Sequence, residues 1–272
     1  MEQYAVVGNP IEHSLSPDIH SLFAKQTQQN IRYKAHLAKV SQFNQHLFLL
    51  RRQGYKGLNI TVPFKIDAFE ICDELSPRAL DAKAVNTLFL RDDDTIAGDN
   101  TDGVGLVRDL MKNHRVLLKA RKILVLGAGG AVRGVLGPLL VQSPRLLMVA
   151  NRTLAKARTL VDDFESIGTI KACGYNQLGN EKFDLIINGT SAGLSGEIPP
   201  IPASILDINT VCYDMVYNRE EDTAFVKWAK EHGASQAYDG LGMLVEQAAE
   251  AFYLWRGVMP DSSSVIEHLR NK

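Results

Sequence analysis

The chain has 272 residues, 45 % of them hydrophobic and 22 % charged, which is enough apolar material for one large core or two ordinary ones. Lys and Arg number 30 against 31 Asp and Glu, so the net charge is −1 and no global basic field argues for a nucleic-acid partner. No apolar run approaches the roughly 18 residues of a membrane span, and the first residues open a strand pattern without a basic leader, so neither a spanning helix nor a signal peptide is expected.

In chain order, residues 4–7 read as a strand. The segment Glu12-His13-Ser14-Leu15-Ser16-Pro17 then leads into a helix with Ile19, Leu22 and Phe23 on one face. Ser16 before Pro17 is a good N-cap, a role that accounts for it on structural grounds alone. Ser14 adds a second hydroxyl beside a helix N-terminus, and the pair suits a carboxylate ligand; His13 reads as a structural hydrogen-bonding residue. Further patterns at 33–37, 43–50, 57–62 and 84–90 alternate between strand and helix, the mark of an α/β unit.

Within it, Asn59-Ile60-Thr61-Val62-Pro63-Phe64-Lys65 places two neutral polar groups and an amine where a strand turns into a helix. Leu58, Ile60 and Val62 alternate with Asn59 and Thr61 at the period of a half-buried strand, with the polar pair pointing away from the packed face. Pro63 suits the first helical position, and Ile66, Phe69, Ile71 and Leu75 give an apolar stripe. Two readings stand at Lys65: a solvated surface lysine, or an amine whose pKa the helix start depresses until it can transfer protons near neutral pH. Gly98-Asp99-Asn100-Thr101-Asp102-Gly103 is a second polar cluster. Asp102 either caps the next helix or stands at the mouth of a cleft opposite Lys65, where it would favour the charged amine.

A helix pattern over 103–113 (Val107, Leu110, Met111) and a basic connection over 114–122 lead to a second unit. A buried strand over 122–126 runs into Gly127-Ala128-Gly129-Gly130-Ala131 and a helix from about Ala131. Gly127 and Gly129 match the first two glycines of a dinucleotide fingerprint, whereas its third position falls on Val132; such turns also serve packing alone. Further strands at 146–150, 169–173, 184–188, 211–215 and 235–238, with helices between, match a doubly wound sheet. After the second of these strands, Asn151-Arg152-Thr153 and Lys156 replace the acid of an NAD site. Arginine and hydroxyl suit a 2′-phosphate, unless the triplet is only a helix start capped by Thr153. Asn188-Gly189-Thr190-Ser191-Ala192-Gly193 is either a ligand loop at a strand's carboxyl end or an ordinary turn. Leu241, Leu244, Val245, Ala248, Ala249, Phe252 and Trp255 describe a one-faced helix expected to return to the first unit. Cys72, Cys173 and Cys212 lie far apart without metal-ligand spacing; they read as reduced thiols of a cytoplasmic protein, and no metal is expected.

Taken in order, Ser14-Leu15-Ser16-Pro17, the Asn59 to Lys65 segment, Ala84-Val85-Asn86-Thr87, the Gly98 to Gly103 cluster, Gly127-Ala128-Gly129-Gly130-Ala131, Asn151-Arg152-Thr153 and Gly240-Leu241-Gly242-Met243-Leu244-Val245-Glu246-Gln247 resemble the shikimate dehydrogenases of the single-function, NADP-dependent type, over essentially the whole chain. The resemblance implies two α/β domains: a substrate-binding catalytic domain over 1–102 plus 241–272, and a Rossmann NADP-binding domain over 103–240. It implies reversible NADPH-dependent reduction of 3-dehydroshikimate to shikimate in aromatic amino-acid biosynthesis. Lys65 and Asp102 would be the catalytic pair, Ser14 and Ser16 would hold the substrate carboxylate, and Asn59, Thr61, Asn86, Asp102 and Gln247 the ring hydroxyls, with Tyr217 nearby. The cofactor would meet Gly127, Ala128, Gly129, Gly130, Ala131, Asn151, Arg152, Thr153, Lys156, Thr190 and Ser191, with its nicotinamide end near Met215 and Gly240. Lys83 departs from the family, which often has Gly before Ala-Val-Asn-Thr. A quinate/shikimate dehydrogenase using NAD would need an acid where Arg152 and Thr153 stand, a non-catalytic nucleotide-binding module would not need Lys65 with Asp102, and a folate-linked dehydrogenase would lack the paired serines. The expected partners are the small-molecule substrate, with no nucleic acid and no membrane, in a monomer or homodimer.

Overall fold

The structure is a computed structural model that describes residues 1–190, 192 and 196–271. The chain divides into two compact units, one of residues 1–105 and 244–272 and one of residues 106–243.

The first unit opens with β1 (Glu2–Gly8), α1 (Ser16–Gln26), β2 (Ile31–Leu37), α2 (Phe43–Arg52), β3 (Tyr55–Ile60), α3 (Lys65–Glu70), β4 (Glu74–Leu75), α4 (Pro77–Ala82), β5 (Thr87–Leu90) and β6 (Ile96–Asp99). Its sheet runs β2-β1-β3-β5-β6-β4, with β5 antiparallel to both β3 and β6 and the other pairs parallel. Leu58 and Ile60 are fully buried as the alternation predicts, but Asn59 is only 6 % exposed. Both faces of this strand are covered, so the polar residue of the pattern is buried with the rest. Val62 departs from the expected pattern: β3 stops at Ile60 and Val62 is exposed in the following turn. Pro63 also stands outside the helix. It lies in the turn closed by the Phe64 N–H donating to the Thr61 carbonyl, after a cis Val62–Pro63 bond, and Lys65 is the first residue of α3. The expected stripe on this short helix is partial; Ala68 is its buried residue, and Ile66 is exposed.

Ser16 is likewise not the N-cap. It is the first residue of α1, Leu15 takes the cap position, and the Ser14 Oγ accepts from the Ser16 N–H at 3.3 Å. The hydroxyl bonded at this helix start is therefore that of Ser14, and the Ser16 side chain is buried.

The chain passes to the second unit along α5 (Asp102–Arg108), which continues as a single π-helical turn, Asp109–Asn113. Leu106 and Leu110 are buried there, whereas Met111 is exposed. β7 (Lys122–Leu126), α6 (Gly130–Val141), β8 (Leu146–Asn151), α7 (Leu154–Phe164), β9 (Ile170–Gly174), β10 (Leu185–Asn188), β11 (Val211–Asp214), α8 (Ala224–Glu231) and β12 (Gln236–Tyr238) follow. All strands are parallel, in the order β12-β11-β10-β7-β8-β9, the doubly wound arrangement whose direction reverses between β7 and β10. Ile123, Leu124, Val125 and Leu126 are fully buried; a continuous apolar run is what a central parallel strand under two helical layers requires.

α9 (Leu241–Arg256) and α10 (Ser262–Arg270) end the chain. From Leu244 onward they belong to the first unit. Trp255 Nε1 donates to the Leu88 carbonyl at 3.1 Å, and the indole lies so close to β3 that a Cβ on Gly57 would stand 2.5 Å from it. Gly57 is therefore the site of a close approach, and no larger residue fits there without displacing the helix.

Candidate active site

In the first unit, polar side chains from four segments meet beyond the carboxyl end of β3. Lys65, at the start of α3, directs its Nζ onto Asp102 Oδ2 at the start of α5, with side chains 13 % and 7 % exposed. A carboxylate in a first helical turn is well placed against the helix dipole, whereas an ammonium there is not. Asp102 thus sits favourably and supplies the counter-charge that Lys65 lacks locally. The other oxygen of Asp102 accepts from Asn86 Nδ2 at 2.7 Å. Asn86 also donates to Thr101 Oγ1 at 2.9 Å, while its Oδ1 accepts from the Thr101 N–H at 2.8 Å. The Asp102 N–H donates to Asn100 Oδ1 at 3.1 Å, so side-chain bonds hold the loop ahead of α5 at consecutive residues.

Gln247, on α9, adds its Oε1 to this cluster, 3.4 Å from both Asn86 Nδ2 and Thr101 Oγ1, and its own Nε2 donates to the Leu244 carbonyl. Asn59 closes the floor: its Nδ2 donates to the Asn86 carbonyl and Thr87 Oγ1, both at 3.2 Å, and its Oδ1 accepts from the Tyr33 hydroxyl at 2.8 Å. Tyr33 is stacked on the His20 ring, with centroids 4.0 Å apart. Burial pushes the His20 pKa down to about 3, so the imidazole is a neutral packing element, and burial drives the Tyr33 phenol well up. Ser16 interacts with the same Tyr33 hydroxyl. Ser14 and Thr61 are half-exposed and, among the described residues, make no side-chain bond to this network. Thr61 lies against β1 because Gly8 has no side chain: a Cβ there would stand 2.4 Å from the Thr61 methyl.

Tyr33 and Thr101 are part of this cluster although neither was among the expected site residues; Thr101 lies within the polar motif over 98–103, and Tyr33 lies in no motif. Tyr33 stands on an edge strand whose exposure pattern gives no clean alternation, and its role arises only from the β1–β2 and β1–β3 pairings that bring it beside Asn59.

In the second unit the candidate cofactor residues cluster at the carboxyl ends of β7, β8, β10 and β11. Gly127 has φ +106°, and a Cβ on it would stand 3.1 Å from the Gly189 carbonyl oxygen, so both its conformation and its space demand glycine. Gly189 in turn faces Val132, whose methyl would lie 2.5 Å from an added Cβ. The close helix–strand approach for which the fingerprint's third glycine serves is accommodated here from the opposite side, by Gly189 against Val132. Gly129 and Gly130 differ: a Cβ on either meets nothing within 4 Å. No internal packing calls for glycine at these two positions, which stand at the N-terminus of the 12-residue α6, where backbone N–H groups and the helix dipole favour a phosphate.

At the end of β8, Arg152, Thr153 and Lys156 are exposed, and among the described residues neither cation is in an ion pair. Arg152 acts electrostatically on Tyr175. Thr153 occupies the N-cap position of α7 but makes no side-chain capping bond, so capping does not explain its hydroxyl. Asn151 Nδ2 donates to the Thr153 carbonyl at 3.0 Å and shapes the turn.

Thr190 donates to Asn188 Oδ1 at 2.8 Å, and Asn188 donates to the buried Asp214 at 3.0 Å. Burial raises the Asp214 pKa, against the pull of Thr223, Val216 and Asn188. Met215 follows, its N–H bonded to the Asn188 carbonyl, and Gly240 packs so close that a Cβ would stand 2.4 Å from the Met215 oxygen. Tyr217 is half-exposed on the same loop, and Ser191 lies outside the described residues. Among the described residues there is no group of three or more His, Cys, Asp or Glu placed to hold a metal ion, and no helix is long and apolar enough to cross a membrane.

Three family models match the chain: the shikimate dehydrogenase substrate binding domain over residues 6–88, shikimate / quinate 5-dehydrogenase over 109–195, and the shikimate 5′-dehydrogenase C-terminal domain over 240–270. The shikimate dehydrogenase (NADP(+)) of Alkalilimnicola ehrlichii is 53 % identical over 269 residues, covering 99 % of this chain and 98 % of its own. Among solved structures, an Ael1 enzyme from Pseudomonas putida is 42 % identical with a TM-score of 0.91, covering 99 % of this chain and 98 % of its own. Shikimate 5-dehydrogenase from Thermus thermophilus, solved in complex with NADP(H) and shikimate, is 33 % identical with a TM-score of 0.88, covering 100 % of this chain and 99 % of its own.

Proposed function

Because the chain belongs to the shikimate dehydrogenase family, we propose that it interconverts 3-dehydroshikimate and shikimate with NADP, using Lys65 and Asp102 as the catalytic pair. The observation that carries this reading is the Lys65–Asp102 contact itself, an ion pair placed by two helix starts and gripped from behind by Asn86. Residues 1–102 plus 241–272 form the substrate-binding part in this reading, and residues 103–240 the NADP-binding part.

NADPH, when bound, supplies a hydride to the substrate's C3 carbonyl carbon. Oxygen charge develops as that carbonyl becomes an alkoxide, and Lys65 donates the proton that neutralises it; in the reverse direction the neutral amine removes it. Asp102 orients the ammonium and accepts a hydrogen bond from a ring hydroxyl. Asn59, Thr61, Asn86 and Gln247 line the ring, the Ser14 and Ser16 hydroxyls take the carboxylate, and Tyr217 is a further substrate-binding residue in this reading. Gly129 and Gly130 leave room for the pyrophosphate at the α6 N-terminus, flanked by Gly127, Ala128 and Ala131. Asn151, Arg152, Thr153 and Lys156 take the 2′-phosphate, Met215 and Gly240 stand at the nicotinamide end, and Thr190 and Ser191 are further cofactor contacts in this reading. The three cysteines are free, and burial pushes Cys72 and Cys212 up to about 12, in keeping with inert thiols in a reducing cytoplasm.

The test follows reduced-nicotinamide absorbance while the protein oxidises shikimate or quinate with NADP and NAD in parallel. Turnover confined to shikimate with NADP is the expected result. Equal rates with quinate or with NAD would move the chain to the broader specificity of its quinate-oxidising relatives.

A further inference from the structure

We propose that Arg78, to which the reading above gives no part in the reaction, is a positioning residue that sets the spacing between Asp102 and Gln247. The inference rests on the reading of those two side chains as substrate contacts.

Arg78 lies on α4 and is bonded to two carboxylates from different segments. Its Nη2 and Nε grip the two oxygens of Asp99 at 2.6 and 3.1 Å, a bidentate fork, and its Nη1 donates to Glu250 Oε1 at 3.0 Å. The side chains of Asp99 and Glu250 are only 8 % and 10 % exposed. Interactions with both acids hold the Arg78 pKa above its ordinary value despite the opposing effect of burial.

Each acid stands three residues from a proposed substrate contact. Asp99 ends β6, and its Oδ1 also accepts the Asn100 N–H at 2.6 Å and the Ser76 hydroxyl. From there Asn100, Thr101 and Asp102 follow in a loop held at every step. Glu250 lies on α9 one turn beyond Gln247, so fixing Glu250 fixes that turn of helix. One guanidinium therefore ties the loop that ends in Asp102 to the helix that carries Gln247. Without it the two shielded carboxylates lose the guanidinium they share, and the link between the two segments is broken.

The test uses the full chain with shikimate and NADP as probes. Arg78→Met is expected to raise the shikimate KM about tenfold and lower kcat several-fold, while the NADP KM stays within about twofold. Arg78→Lys, which keeps the charge but not the fork, should recover part of the loss. Glu250→Gln, which leaves the Arg78–Asp99 pair intact, guards against a variant that fails to fold; it should raise the shikimate KM about threefold. The deciding readout is coupling: in a Gln247→Ala background, Arg78→Met or Glu250→Gln should raise the shikimate KM much less than in the wild type, because the contact being positioned is already gone. Unchanged shikimate KM in Glu250→Gln and Arg78→Met, or effects that multiply fully with Gln247→Ala, would overturn the role given to Arg78. A wild-type KM in Gln247→Ala alone would instead break the placement of Gln247 at the substrate.

Discussion

In the first unit the candidate site is made of side chains that bind one another. Lys65, Asp102, Asn86, Thr101 and Gln247 are joined by hydrogen bonds, and Asn59 spends both amide protons on protein acceptors. In the second unit the site is made of backbone and space: two glycines with nothing above them, a helix start, and two exposed cations without carboxylate partners among the described residues. The difference follows from what each would do in the proposed reaction. Moving a proton requires a donor held within hydrogen-bonding distance of a transient charge, which favours a pre-formed, shielded network. Holding a polyanion requires donors left free until it arrives. The comparison also says how each should fail: loss of the Lys65 amine in the first unit strikes turnover, and loss of open space or free cations in the second strikes cofactor affinity.

The largest expected effect tests the first half. Lys65→Ala should cut turnover by at least ~100-fold, the scale of lost acid–base catalysis, while NADP binding followed by fluorescence titration stays near wild type. Near-wild-type turnover would remove Lys65 from the mechanism.

Much of this contrast was legible in the chain. The run from Lys122 into Gly127 and Gly129 announces a buried strand, a tight turn and a helix, because each step has a strong local signal: continuous apolar residues, then a φ only glycine adopts readily, then helical periodicity. The alternation around Asn59 misled in one respect, since it could not show that the sheet is covered on both faces and ends two residues before Val62. Ser16 looked like a cap because a cap and a first helical residue differ only by where the backbone turns, which Leu15 and the Ser14 hydroxyl decide. The roles of Tyr33 and Arg78 were illegible for a different reason. Their bonded partners Asn59, Asp99 and Glu250 lie 21 to 172 positions away, and no local pattern encodes a contact of that kind.

Beneath the first site, His20 gives a prediction in pH. Its folded pKa of about 3 lies below the ordinary 6.5, so between those values the unfolded chain binds one more proton and stability falls as pH falls. At pH 5 the loss from this group is ~2 kcal/mol relative to neutral pH, at about 1.4 kcal/mol per pKa unit. His20→Phe, which keeps an aromatic ring against Tyr33, should flatten that part of the profile in denaturant titrations at pH 7 and pH 5. A variant as acid-sensitive as the wild type would mean that other groups set the slope, among them His36 and His46, whose pKa values burial also lowers.

In the second unit two glycines should respond in opposite ways. Gly189→Ala forces a methyl against Val132 and Met215 and should cost about 1–3 kcal/mol of stability, the range of overpacking. Gly129→Ala adds a methyl to open space at an extended φ of −93°, so thermal unfolding should hardly change while NADP affinity falls. If Gly129→Ala destabilised the fold as much as Gly189→Ala, the open space above α6 would belong to the protein's own packing and not to a phosphate.

The finest distinction concerns which phosphate the exposed cations serve. Arg152 and Lys156 have no carboxylate partner among the described residues, so removing one charge leaves no buried group unsatisfied and should not disturb the fold. Arg152→Ala should therefore weaken NADPH binding about tenfold, the scale of one charge-assisted contact, with NADH binding nearly unchanged and the loss shrinking as salt screens the exposed site. Equal losses for the two cofactors would place Arg152 on a group they share, the pyrophosphate or the adenine. Thr153→Ala separates these outcomes further. Its hydroxyl caps nothing, so any selective loss of NADPH over NADH must come from the 2′-phosphate, whereas a loss of α7 stability would mean that the cap forms in solution after all.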